Sequence, residues 1–209
     1  MNTTIIGMTG KRGSKSTKFV QAQAGKDTAA ERLISHHGFT KIALADGVRD
    51  SLYGLNPLAL VDLGEGPVTI RIAELVDALG WEEAKRQPEV RALMQRMGTE
   101  AGRDVHGEDL WTSLVEHKMR KLGDDPRVVV TDVRFPNEAD WIRSIGGIVV
   151  EIFRPQEFVD DLGTNAAHAS ETMGWITPDI RLVNDGAIEV LHQKVDRLMA
   201  GGWSGDQID

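Results

Sequence analysis

The 209-residue sequence contains no cysteine, so it carries neither a disulfide framework nor a thiolate metal centre. It lacks any apolar run long enough to cross a bilayer, and its N-terminus lacks the basic flank and apolar stretch of an export signal. These absences predict a cytoplasmic protein with no membrane association. Positive charge is in deficit, with a formal net charge of −8. A nucleic acid polymer is therefore not an expected partner, although a local positive pocket is compatible with that balance. There is no internal repeat and no low-complexity tract, and the length suffices for one sizeable core with a small lid. A single domain is expected over residues 1–200, with a flexible glycine-rich tail over 201–209. Oligomeric state is left open, a homo-oligomer included.

An intact Walker-type loop, G-x-x-x-x-G-K-[ST], is also missing. Five residues before Gly25 stands Val20, and five after Gly10 stands Lys15. The pieces are nevertheless present. If Lys15 to Ala24 is read as an insert, Gly10-Lys11-Arg12-Gly13-Ser14 joins Gly25-Lys26-Asp27-Thr28 at the required spacing. The apolar stretch Thr3 to Gly7 leads in as a strand, and Ala29 to Leu33 leads out as a helix. Glycines allow backbone amides to approach phosphate oxygens, and a helix N-terminus adds unpaired amides and partial positive charge. Gly10, Lys11, Gly13, Gly25, Lys26, Asp27 and Thr28 are thus candidate ATP-binding residues. Lys26 would neutralise β- and γ-phosphate charge, and Thr28 would offer a hydroxyl to Mg²⁺. The Lys-x-Thr order resembles the loop of adenylate kinases. The plainer alternative makes Gly25-Lys26 an ordinary helix start and Gly10 an ordinary turn.

Further along, strands and helices alternate. Strands are expected at Lys41 to Ala45, Arg127 to Thr131, Ile148 to Phe153 and Ile180 to Val183. Helices are expected at Gly25 to His37, Ile70 to Leu79, Gln87 to Gly102, Trp111 to Leu122, Pro136 to Ile145 and Ala187 to Met199. This pattern predicts an α/β fold of three layers, a mostly parallel sheet with helices on both faces. Ligands of such sheets sit beyond the carboxyl ends of the strands, where Gly10, Asp46, Asp132 and Arg154 fall. Asp132 could orient Mg²⁺ directly or through water, or could simply cap a turn. Asp46 could serve the metal or the acceptor, with the same alternative. Arg49 could bind an acceptor phosphate. Arg134 could reach the acceptor or the transferring phosphate, or pair with Glu138 at i+4. On the Gln87 to Gly102 helix, Val90, Leu93, Met94 and Met97 form an apolar stripe. Gln95, Thr99 and Arg103 lie opposite, where they could read a base and its phosphate or form a plain solvent face. Gly98 and Gly102 would let a planar base approach.

Several of these segments together resemble the bacteriophage-type deoxynucleoside monophosphate kinases. The resemblance rests on Gly25-Lys26-Asp27-Thr28-Ala29-Ala30, on Gln95 to Arg103 with Trp111, and on Val130-Thr131-Asp132-Val133-Arg134-Phe135-Pro136-Asn137-Glu138-Ala139. Gly146-Gly147 leading to Arg154-Pro155, His168-Ala169-Ser170-Glu171 and Asn184-Asp185-Gly186 extend it from about Thr3 to Met199. It implies a P-loop kinase fold, ATP and a deoxynucleoside monophosphate (dNMP) as substrates, and Mg²⁺ as cofactor. An acceptor region is implied over about 50–122 and a lid over about 154–172, with Lys26, Asp132, Arg134 and Arg154 as the catalytic set. On the acceptor side it implies Asp46, Arg49, Gln95, Thr99, Arg103 and Arg134. The interrupted loop and the acidic, arginine-poor lid motivate a different reading, a catalytically silent paralogue that binds a nucleotide or a protein. A third reading keeps the kinase chemistry with another acceptor, such as phosphomevalonate or dephospho-coenzyme A.

Overall fold

A computed structural model of the protein describes residues 4–12, 25–155 and 176–201. The chain runs β1 (Thr4–Arg12), α1 (Lys26–His37), β2 (Thr40–Ile42), α2 (Ala45–Leu55), β3 (Leu58–Asp62), β4 (Pro67–Arg71), α3 (Ile72–Ala84) and α4 (Pro88–Gly98). A π-helical turn (Thr99–Arg103) and α5 (Asp104–His106) follow. The chain ends with α6 (Leu110–Arg120), β5 (Arg127–Val130), α7 (Pro136–Ser144), β6 (Ile148–Arg154), β7 (Ile180–Val183) and α8 (Ile188–Met199). It divides into two compact units, Met1–Ile42 with Met119–Asp209, and Ala43–Lys118. The second unit falls close to the acceptor region of about 50–122 expected within a single domain.

The first unit is built on a five-stranded parallel sheet in the order β2-β5-β1-β6-β7. Parallel strands covered on both faces read as continuous apolar runs, and Val128, Val129 and Val130 of β5 are fully buried. One core joins Ile6, Met8, Val129, Val150, Ile152 and Leu182 of the sheet to Ala30 and Leu33 of α1 and Leu191, Val195 and Leu198 of α8. Each fully buried Leu or Ile contributes roughly 1.5–3 kcal/mol of transfer free energy. The strand order puts β1 at the centre, with β5 and β6 on either side. The α/β architecture expected from the sequence is the one observed.

Strand β1 runs five residues beyond the expected end at Gly7. Gly10, Lys11 and Arg12 pair with Ile152, Phe153 and Arg154, because β6 is long enough to offer them a ladder. Gly10 and Lys11, expected in a loop, are therefore strand residues. Gly13, the Lys15–Ala24 insert and most of the expected lid, from 156 with His168 and Glu171, lie outside the described residues, as does the tail from 202.

The second unit has a core of its own, formed by Ala59, Val61, Ile72, Leu75, Ala84 and Val90. Its β3–β4 hairpin is antiparallel and was not foreseen: Ala59 pairs with Ile70 and Val61 with Val68. Ile70, expected to open a helix, is thereby drawn into a strand, and α3 starts at Ile72. The expected single helix over Gln87 to Gly102 is α4 followed by the π-helical turn. Among the described residues no helix is long and apolar enough to cross a membrane.

Candidate active site

The described residues that the sequence offered as phosphate-binding candidates lie in the first unit. Gly25 adopts a left-handed conformation (φ 90°, ψ 9°) and accepts the first helical hydrogen bond, from Ala29 N at 2.9 Å. A Cβ there would be strained and would fall 2.4 Å from Asn184 Nδ2, so the turn into α1 requires glycine. Among the described residues no side chain caps this helix N-terminus. Its first amides therefore have no intrahelical acceptor, which suits them to an anion.

Lys26 follows at the first helical position and is half-buried. Burial pushes its ammonium pKa below the ordinary 10.5; Asp27 and Asp132 oppose that shift, whereas Arg134 and Lys41 add to it. These charges converge on Lys26 from different strand and helix ends, so the structure places Lys26, Asp132 and Arg134 near one another. A desolvated lysine among both signs of charge is typical of functional sites.

The turn after β5 sets the position of Asp132. Thr131 N donates to Ile42 O (3.3 Å) and Val133 N to Met8 O (3.2 Å), which ties the turn to the strands on either side. Asp132 is half-buried between these anchors. Beyond it, Glu138 is only 2% exposed, and its Oε2 accepts from Arg134 N (2.7 Å) and Phe135 N (3.0 Å). The spacing had suggested an Arg134–Glu138 ion pair; these hydrogen bonds go to backbone amides. They fix the loop while the Arg134 side chain stands exposed. Arg154 is also exposed, at the last position of β6. Asp27 is exposed and Thr28 half-buried in the first turn of α1.

A second loop supports α1 from behind. Asn184, after β7, donates its backbone N–H to Phe153 O at 2.7 Å, and its side chain packs on Gly25. Lys194 of α8 is 6% exposed and donates to Val183 O (2.9 Å) and Asp185 Oδ1 (3.3 Å). Lys194 was not singled out from sequence, and Glu138 only as the alternative ion-pair partner of Arg134: a carboxylate or ammonium on a helix reads as solvated until its burial is known.

In the second unit, Asp46 lies in the first turn of α2 rather than after a strand. Its Oδ2 accepts from Ala43 N at 2.9 Å, the capping role that sequence had offered as an alternative. Arg49 is held between Asp46 (3.7 Å) and Glu82 (3.2 Å). Gln95 and Thr99 are exposed and Arg103 is half-buried, its Nε fully so. Gly102 does not present a flat surface to a base. It is buried against Trp111, whose Cζ2 would lie 2.5 Å from an added Cβ.

A parallel α/β sheet with a glycine-led helix N-terminus and a lysine–aspartate–arginine cluster at its carboxyl edge is the framework of a P-loop kinase, a phosphotransferase. Comparison with known proteins narrows this. The family model for deoxynucleotide monophosphate kinase matches residues 55–195. The chain belongs to the deoxynucleotide monophosphate kinase family. It is 28% identical over 208 residues to a protein of Acanthamoeba polyphaga mimivirus named "Putative deoxynucleotide monophosphate kinase", covering 91% of this chain and 93% of that one. A 54-residue stretch is 46% identical to the deoxynucleoside-5'-monophosphate kinase of Escherichia phage T5, covering 25% of this chain and 21% of that one.

Proposed function

We propose that the protein transfers the γ-phosphoryl group of ATP to a dNMP, giving the diphosphate and ADP. The observation that carries this reading is Lys26, desolvated at a glycine-led helix N-terminus with Asp132 and Arg134 beside it. Phosphoryl transfer asks a protein chiefly for positioning and charge neutralisation, and this cluster supplies both. The amides that open α1 and the Lys26 ammonium bind the donor phosphates. Arg134 and Arg154 offset charge on the transferring group. Gln95, Thr99 and Arg103 face the acceptor, with Arg49 a further phosphate ligand and Asp46 fixing the start of its helix. Gly10, Lys11, Gly13 and Asp27 belong to the same donor site.

The hydroxyl of Thr28 and the carboxylate of Asp132 are hard oxygen donors of the kind Mg²⁺ prefers, so the residues fit that ion. Bound Mg²⁺ would supply positive charge to the phosphate oxygens. The reaction would proceed in the cytoplasm, that of the host if the chain is phage-encoded. The test is a coupled ADP-release assay with ATP, Mg²⁺ and each dNMP in turn. Turnover with at least one dNMP is the expected result. Phosphorylation of a non-nucleotide acceptor alone, or nucleotide binding without turnover, would overturn the reading.

A further inference from the structure

The π-helical turn at Thr99–Arg103 widens the helix just where the expected acceptor face continues. Such turns arise when a residue is added to a helix, and they recur at functional sites. Here Asp104 N reaches back five residues to Thr99 O. Widening the ladder changes which carbonyls are satisfied within the helix, and one of them has an outside partner. Trp111 Nε1, on α6, donates to Gly98 O at 2.9 Å. Trp111 is 3% exposed, and its ring lies over Gly102 inside the turn; an added Cβ there would fall 2.5 Å from Cζ2 and 2.6 Å from Met97 O. On the other side the ring meets α2, where a Cβ at Gly47 would fall 2.8 Å from Trp111 Cε3. One indole thus grips the turn at the carbonyl of Gly98, the residue just before it, and at its fourth residue, Gly102. The same turn ends in Arg103 and begins at Thr99.

We propose that Trp111 is a positioning residue for the acceptor nucleotide. Its N–H and ring face hold the π-helical turn open, so that Arg103 points at the acceptor phosphate. In a regular α-helix the same residues would take a different angular setting, and Gly102 would turn away from the ring. Trp111 touches no reacting atom; it acts through Arg103. The inference rests on the acceptor assignment made above.

The test compares Trp111→Phe, Gly102→Ala and Arg103→Ala with the wild type. Trp111→Phe keeps an aromatic side chain but deletes the N–H donor and shortens the ring that packs on Gly102; the lost hydrogen bond alone is worth about a five- to tenfold change in affinity. The expected result is a rise of about that size in KM for the dNMP, with KM for ATP unchanged and kcat altered less than twofold. Gly102→Ala, which forces the ring away, is expected to give the same split. A purely structural role would lower the melting temperature and the active fraction and leave both KM values alone. An unchanged dNMP KM in folded Trp111→Phe overturns the proposal. An unchanged dNMP KM in Arg103→Ala sinks the acceptor assignment itself, which separates the two failures. Should Trp111→Phe and Gly102→Ala both fail to fold, the indole N–H resonance of Trp111 in the wild-type chain provides the readout. It is expected to shift on titration with dNMP, and a titration that leaves it in place overturns the proposal.

Discussion

Lys26→Met is the substitution with the most to say. Methionine keeps a flexible stem and removes the ammonium. The helix N-terminus, Asp132 and Arg134 stay in place, so the site loses one positive donor and little else. Losing a preorganised donor to developing charge costs about 2.7–4 kcal/mol, or about 10²–10³ in kcat. Stability should move in the other direction or hardly at all. Burial is the leading influence on the Lys26 ammonium and opposes its charge. Removing the charge therefore relieves a desolvation cost and should leave unfolding free energy within about 1 kcal/mol of wild type. The pH dependence carries a sign. Since the folded-state pKa lies below the ordinary 10.5, the unfolded chain holds more protons between the two values, and stability rises with pH across that window. Lys26→Met should abolish that rise. The assays are steady-state ADP release at saturating substrates and denaturant unfolding from pH 7 to 11. Turnover within threefold of wild type would refute the assigned role. A loss of turnover matched by an equal loss of folded protein would refute it as well.

Other substitutions probe the supports of the site. Glu138→Gln leaves a buried amide where a carboxylate accepted from Arg134 N and Phe135 N, and is expected to cost about 1–3 kcal/mol. Denaturant midpoints should fall and kcat should drop with them as the Asp132–Phe135 turn loosens; an unchanged midpoint would refute the role. Asp196 of α8 accepts from Arg32 (2.9 and 2.7 Å) and His37 (2.8 Å) of α1, and these partners hold its carboxyl well below the ordinary 3.8. Its contribution is present above that value and is lost as pH falls below it. Asp196→Asn should therefore flatten the acid limb of the stability curve below pH 4. The effect should be modest, because the side chain is 36% exposed and solvent screens it. An acid limb identical to wild type in a thermal-melt series would contradict this.

Much of this protein was legible in one dimension. The alternation of β-branched runs with amphipathic helices determined the parallel sheet: Arg127–Val130 and Ile180–Val183 fall within one residue of the expected strands. Such strands are marked by their own burial, which is a local compositional signal. The motif Gly25-Lys26-Asp27-Thr28 announced a helix N-terminus by its spacing, and the left-handed turn found at Gly25 is one that glycine takes without strain. What sequence could not decide is which groups meet across distance. The hairpin of β3 and β4 escaped notice because Leu58–Asp62 has no polar alternation, and its register with Pro67–Arg71 comes from pairing alone. The extension of β1 to Arg12 depends on how far β6 runs beside it. The i, i+4 face of Gln95, Thr99 and Arg103 assumed a uniform helix, and a tryptophan eight residues beyond Arg103 breaks that uniformity at Gly98 and Gly102. Glu138, Asn184 and Lys194 look like surface residues until folding buries them against backbone groups that need partners. Sequence determined the elements and the chemistry they carry, since both follow from local pattern. Tertiary structure decided the partners of the polar groups, since desolvation on folding selects among donors and acceptors that are equivalent in the unfolded chain.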